Sequence, residues 1–480
     1  MAVSVTLQNA VLAKLTYGPT KSSRAELNKL GLDKWLDDQL NPNKAEDKFT
    51  KGVLGQFRAQ NLSQYDIEHT LPYSVNSSKV SDELALTTIY RRFASSRQVY
   101  ETLVEFLQDL VPTPLYNDQV KRLSYDRDAI RANALGNYTD LLYATALHPE
   151  MLTFLNGYSN ERNHPNENYG RELLELFTVT TATSYTQDDV VNAARVFSGI
   201  SFDNVNMQNF ADPNRHWQGQ VKVLGWSDPN PGKTPDQIFN TARGLVKYLT
   251  QLPETARAFS LRMAKRYVSD TPSSSIVTAM TTTYLASGAN IPEVVKTMAK
   301  HPDFMASAGA KLKRPTEHLI STMRALEMNI NGSINAGNTS NFDDYWRGSL
   351  LNTVWWLTMK GGHDPFNWPF PNGFPDTESA WTNMAGQVVR WNNAVNLIMG
   401  YDGFDQPDLR VLFGAPANTV ATIVDAAATK ILGRKLTSAS RANVIAGVSL
   451  IKSTNTKALY GQRLQAAALL VFATEEWNRR

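Results

Sequence analysis

The residues best placed to do chemistry lie between 163 and 203, in the run NHPNENYGRELLELFTVTTATSYTQDDVVNAARVFSGISF. Glu172 and Glu175 stand three apart in a stretch that reads as a helix opened by Pro165 and running to about Thr178. Carboxylates at i and i+3 come within about 5–6 Å at Cβ, near the separation of a retaining glycosidase pair. In that chemistry they would serve as acid and base, with Arg195 on the following helix holding one of them ionised. Asn168 and Arg171 share with both glutamates an arc of about 100° on the helical wheel, which makes them candidate binding residues. Tyr169, Leu173, Leu176 and Phe177 fill one flank and Leu174 the other, so the helix reads as buried and its polar arc needs partners. The second helix is capped by Thr186, stops near Gly199, and carries Asp188, Asn192 and Arg195 at i, i+4 and i+7. Arg195, with Arg171, is expected to meet Glu172 or Glu175 across the hairpin. The same arrangement would serve an ion network that only fixes the helix pair, and two catalytic acids on adjacent turns of one helix would be unusual.

A second group of candidates lies in GHDPFNWPFPNGFPDTESAW, residues 362–381. Pro365, Pro369, Pro371 and Pro375 make this an ordered, extended loop. His363, Asp364, Trp368 and Trp381 are its candidate binding residues, as a stacking surface for a sugar or aromatic ligand. The competing reading is an aromatic plug over one end of the core. Asp376 or Thr377 is expected to cap a helix running to about Ile398. His148 reads as a helix-end residue capping carbonyls, with ligand or proton donor as its other role. HPEMLTFL at 148 and HPDFMAS at 301 share helix-start chemistry, with Pro at the first position and an acid beside it. Arg257, Arg262, Lys265 and Arg266 give the 255–269 helix a solvated or acid-pairing face, with a phosphate or polyanion site as the alternative.

Several chemistries are disfavoured. There is no G-x-G-x-x-G after a strand, no G-x-x-x-x-G-K-[ST], no H-E-x-x-H and no G-x-S-x-G. No nucleotide cofactor, zinc peptidase or α/β-hydrolase is expected. The seven histidines contain no i, i+4 pair, so no metal cage is expected, and the absence of cysteine removes disulfides and thiolate sites. A net charge of +3 without long basic runs makes nucleic acid a poor partner. No stretch is apolar enough to span a membrane, and the first residues do not read as a signal peptide. Charged residues are only 19%, and Asn, Ser and Thr are plentiful, a balance suited to extracellular surfaces. The expected location is therefore periplasmic or extracellular as a mature form, with the cytoplasm as the alternative.

These residues must be positioned by a mainly α, multi-helical fold with one short β-hairpin or flap around residues 200–225. Residues 6–40 read as helical, with Ser23 and Glu26 as a capping box and Gly31 as a stop. Further helices are expected at 97–111, at Tyr138–Leu147, from Pro149, and over 236–308. Ile200–Phe202 and Gln220–Leu224 are the strand signals, with His216 at the far side of the flap. A linker is expected over 331–343, then a tryptophan-rich helix, and three helices in the 405–480 tail. The organisation so implied is an N-terminal helical region (1–120), a helical core (121–330), a closing loop and helices (331–400) and a C-terminal helical region (401–480).

The runs LAKLTYGPT and LGLDKWLDDQLNP, the block 125–156, and Asn166, Glu167, Asn168, Arg171, Glu172, Glu175 and Leu176 together resemble a large bacterial family, domain of unknown function 1800. Tyr185, Thr186, Gln187, Asp188, Val190, Ala194, Arg195, Gly199 and Phe202 extend the resemblance. The chain also departs from it. Where relatives carry Trp-His-x-His-Phe, this chain has Leu107, Gln108, Asp109, Leu110 and Val111; histidines are also replaced by Asn133 and Phe177. The resemblance implies a mainly helical fold, a bacterial source and export, and no particular activity. The expected function is a binding or assembly protein at the cell surface or in the periplasm, with a protein or polysaccharide partner and homo-oligomerisation left open. The alternative is a hydrolase of a glycan-like polymer using Glu172 and Glu175.

Overall fold

Polar side chains recur every third or fourth residue along Gln98–Leu110, yet almost the whole of this helix is buried. Its apolar side chains, Val99, Leu103, Val104, Phe106 and Leu107 among them, enter the larger of two cores. Glu101, Glu105 and Gln108 therefore have to find partners inside the protein. The computed structural model describes residues 4–70, 73–115, 119–330, 350–414 and 419–480, and the linker expected over 331–343 lies outside them.

Helices dominate. The larger core gathers the Val5–Leu15 and Lys21–Gln39 helices, the central Gln98–Leu110 helix and the elements up to Phe304. The second core joins the 73–94 helix to the segments from Leu319 to Trp477. A small third cluster, with Leu84, Leu123 and Phe366, sits under the proline-rich loop. The two ends of the described chain meet: Arg480 donates to Lys14 O at 3.0 Å and to Arg266 O at 2.8 Å, and Arg479 pairs with Leu312 as an isolated bridge. None of the described helices is long and apolar enough to cross a membrane.

Several boundaries differ from expectation for local reasons. Thr20, not Ser23, caps the first long helix; Ser23 is the third residue in and closes the capping box. Gly31 (φ +75°) interrupts that helix, which resumes and runs to Gln39. The 163–203 hairpin starts at Glu167 behind an Asn166 cap, two residues after Pro165. From Leu173 to Phe177 it continues as a wider π-type turn, a form that inserts an extra residue into the helical ladder. Thr186 caps the second helix, Gln187–Val196, in a capping box with Asp189, as expected. The β region is two hairpins where one flap was expected. β1 (Ile200–Phe202) pairs with β2 (Asn209–Ala211), and β3 (Val221–Val223) pairs with β4 (Trp226–Asp228), all antiparallel. The β3–β4 turn places Leu224 and Gly225 at positive φ, the arrangement that matches strand twist in a two-residue turn. His216 is fully buried between the hairpins, bonded to Ser198 O at 2.7 Å and Asn230 Oδ1 at 2.8 Å. The helix expected from 377 to 398 is broken into Glu378–Trp381 and Met384–Met399, because Asn383 supplies a fresh cap. The tail holds short helices at Leu409–Phe413 and Glu475–Asn478 besides three longer ones.

The hairpin depends on one close approach. A Cβ on Gly170 would lie 2.8 Å from Val190 O and 3.0 Å from Ala194 N on the facing helix. Gly170→Ala should therefore lower stability by about 1–3 kcal/mol through overpacking. Urea unfolding would measure this, and an unchanged midpoint would mean that the two helices separate freely.

Candidate functional site

The expected acidic arc is half-exposed, not buried. Asn168 is exposed, and Arg171, Glu172 and Glu175 are intermediate. Burial, then the charge of Glu175, raises the Glu172 carboxyl above its ordinary value. Glu175 accepts from the Tyr185 hydroxyl at 3.0 Å. The expected pairing across the hairpin is replaced by other contacts. Arg171 lies 3.3 Å from Glu167 and 3.0 Å from Gln187 Oε1. Arg195 donates to Asn192 at 3.1 Å, and its guanidinium covers the Trp217 ring at 4.5 Å. The wheel assumed α geometry throughout, whereas the π-type turn beginning at Leu173 moves Glu175 out of the register predicted from Glu172.

The densest charged constellation lies elsewhere, around Glu105. Its Oε2 accepts from the Tyr17 hydroxyl at 2.8 Å and from Arg266 at 2.6 Å. Its Oε1 is 3.3 Å from Arg92, 3.8 Å from His363 Nε2 and 4.0 Å from Arg314. Burial alone would raise this carboxyl, but Arg92, Arg266 and Arg314 overcome it and hold Glu105 well below the usual range. Arg266 also reaches Glu317 at 2.7 Å, and Arg480 reaches the same carboxylate at 3.3 Å. Burial opposes ionisation of Glu317 too, but Arg266 and Arg480 bring it down to about 2. Arg314 closes the set by bonding Asp109 and, at 2.6 Å, Asp376. Four guanidiniums (Arg92, Arg266, Arg314, Arg480) thus face four carboxylates (Glu105, Asp109, Glu317, Asp376). A neighbouring buried set joins Arg131 to Glu101 at 3.0 Å and Asp126 at 2.7 Å.

This network lies under the 363–381 loop. The buried His363 stands edge-on to Phe374 (4.8 Å between ring centres) and Trp381 (5.2 Å). Burial, then Arg314, keeps its imidazole well below the ordinary histidine value, so it is neutral. Asp364 accepts from Trp355 Nε1 at 2.8 Å and Asn367 at 3.2 Å, while Trp381 Nε1 donates to Pro375 O at 2.9 Å. Trp368 donates to Asn372 at 2.7 Å and tilts against Phe374 at 5.1 Å. Beside it Phe370 is 58% exposed. Between loop and network is a cavity of about 20 Å³, lined by Glu105, Gln108, Arg122 and His363 among others. That is room for one water. Neither Glu172 nor Glu175 lines it.

The structure therefore gathers His363, Asp364, Trp368 and Trp381 in one loop, and Arg171, Glu172 and Glu175 on one hairpin. Arg262 ties the two regions together, donating to Leu176 O at 3.0 Å and Asp109 O at 3.2 Å. His148 stands apart at a helix end, as expected: its backbone N–H caps Thr145 O at 3.3 Å, while its side chain serves the next helix. Its Nδ1 accepts from the Glu150 amide at 3.1 Å, because an extended residue before Pro149 faces the open amides of the next helix. His301 repeats this toward Asp303 at 3.2 Å. Burial, with Arg122 and Lys121 nearby, lowers His148 to about 3. The positions where the family resemblance implied histidine are filled differently here. Gln108 donates to Asp126, Asn133 donates to Ala129 O at 2.8 Å, and Leu110 and Phe177 are core. Among the described residues no group of three or more His, Cys, Asp or Glu could hold a metal.

The chain belongs to the protein of unknown function family DUF1800, whose model matches residues 10–479. No curated protein and no solved structure matches it.

The two acidic groups should respond differently to neutralisation. Glu105→Gln leaves several guanidiniums uncompensated in the interior and should cost about 3–5 kcal/mol. Glu172→Gln and Glu175→Gln, on a half-exposed face, should each change stability by under about 1 kcal/mol. Chemical unfolding of the three variants distinguishes these outcomes. Acid should act through the buried groups held below their ordinary values: His148, His318 and His363 on one limb, Glu105 and Glu317 on another. His148 titrates at about 3 folded against 6.5 unfolded, and Glu317 at about 2 against 4.5. Both folded values are depressed, so both contributions are present at neutral pH and lost as pH falls, His148 from 6.5 and Glu317 from 4.5 downward. A melting series across this range should show both limbs, and His148→Gln should reduce the first without removing it, since His318 and His363 contribute to it as well.

Proposed function

We propose that this protein is a binding or assembly protein of the cell surface or periplasm that engages a polysaccharide through the 363–381 loop. One observation carries the reading. The charges beneath the loop neutralise one another, while Phe370 is largely exposed and stands edge-on to the half-buried Trp368 at 6.0 Å. A proline-stiffened loop anchored by His363, Asp364 and Trp381 loses little entropy when a sugar ring stacks on it. Export, suggested by surface composition and family resemblance, would put such a surface in contact with cell-wall glycans.

One feature supports hydrolysis as the second reading. Glu172 is pushed toward the protonated form beside Glu175, which receives the Tyr185 hydroxyl, as in an acid–base pair whose environments differ.

Titration of soluble glycan oligomers, read by tryptophan fluorescence, tests the first reading. Trp368→Ala and Phe370→Ala should each weaken binding by roughly threefold to tenfold, with the fold intact. Glycan release abolished by Glu172→Gln or Glu175→Gln, but retained in Trp368→Ala, would replace binding with hydrolysis.

A further inference from the structure

A groove of about 520 Å³ beside the second core carries positive charge that no carboxylate among the described residues neutralises. Its size falls within the roughly 300–1,000 Å³ of small-molecule sites. Lys21, Arg24 and Arg324 line it, and among the described residues none of the three meets a carboxylate. The groove's own acids are already engaged: Glu327 with Lys430 at 2.5 Å, and Asp425 with Arg441 through two bonds of 2.6 and 2.8 Å. Arg324 is only 8% exposed. It donates from Nε to Gly18 O at 3.2 Å and from Nη1 to Phe93 O, and Nη2 has no partner among the described residues. Arg24 gives Nη1 to the Asn9 carboxamide. Burial lowers both guanidiniums, Arg324 to about 10, with no acidic group opposing it. Among the described residues Arg122 and Arg390 are also buried without a carboxylate at salt-bridge distance, each bonded to a backbone carbonyl. Lys21, Arg24 and Arg324 differ in lining one open groove, where an external anion can complement all three.

We propose that this groove binds an organic phosphate, its phosphoryl group between Lys21, Arg24 and Arg324 and its body against Leu412, Phe413 and Ala426. A planar guanidinium matches two phosphoryl oxygens at once, and the adjacent ammonium complements the second negative charge. The apolar side of the groove leaves space beyond a bare phosphate ion. The phosphate belongs either to a free metabolite or to a lipid headgroup, since both present the same monoester.

Calorimetric titration of the whole chain with glycerol 3-phosphate, and flotation with vesicles containing phosphatidic acid, test the site at matched ionic strength. Saturable binding to either is expected. Stronger retention by vesicles assigns the phosphate to a lipid, and saturation by the soluble ester assigns it to a metabolite. Lys21→Gln and Arg24→Gln should each weaken binding by at least about tenfold. Arg324→Gln should abolish it, with circular dichroism confirming the fold. Trp368→Ala should bind as the wild type does. Absence of saturable binding to both probes, or wild-type affinity in the Lys21→Gln/Arg24→Gln double variant, overturns the proposal.

Discussion

A carboxylate cannot remain ionised inside a protein unless cations are brought to it, and Glu105 draws its partners from across the chain. Tyr17 comes from the segment after the first helix, Arg92 from the helix before, Arg266 from the middle, Arg314 and His363 from later elements. Arg480 joins through Glu317 and also holds Lys14 and Arg266 by their carbonyls. The two apolar cores meet across this set, since Gln98–Leu110 packs into one and Tyr17, Leu319 and Ile320 into the other. Apolar contact alone would let those cores slide. A charge cluster in which every arginine has a designated carboxylate fixes their register.

The same constraint explains the proline-rich loop. His363 and Asp376 approach the network from above, and Phe374 and Trp381 pack around the His363 ring, so the loop excludes water from the charges it covers. Water exclusion strengthens each ion pair and makes each unpaired group costlier. The plug and the proposed recognition surface are then two faces of one element. The inward face is occupied by structural duties, and the exposed Phe370, with the half-buried Trp368 beside it, is what solvent reaches.

Much of the helical fold was legible in the residues. Pro149, Thr186 and Gly199 mark boundaries where their local chemistry requires them. Local chemistry failed where the backbone left α geometry, as at Leu173–Phe177, because wheel positions drift once an extra residue enters a turn. It failed again where an asparagine cap, Asn383, interrupts a helix that apolar periodicity would continue. The Glu105 network was hidden for another reason. Its members are separated by up to hundreds of positions, and each reads singly as surface charge. The usable signal was Glu101 and Glu105 one turn apart inside an otherwise apolar helix, which burial makes incompatible with solvent exposure. The 167–177 arc offers the more concentrated acidic pattern in sequence, yet its acids are half-exposed.

Charge balance separates structural from functional polarity in this molecule. Around Glu105, four guanidiniums and four carboxylates cancel in the interior, and the cavity left over has room for a water. On the hairpin, Glu172 is partly desolvated beside a second carboxylate, yet solvent reaches both and no positive charge is committed to them. Among the described residues Lys21, Arg24 and Arg324 meet no carboxylate, in a groove with space for a ligand. Desolvating Arg324 without a counter-charge lowers stability unless something outside the chain supplies one. The fold meets its other buried cations internally, with carboxylates around Glu105 and with carbonyls at Arg122 and Arg390, whereas Lys21, Arg24 and Arg324 line a groove open to an anion from outside.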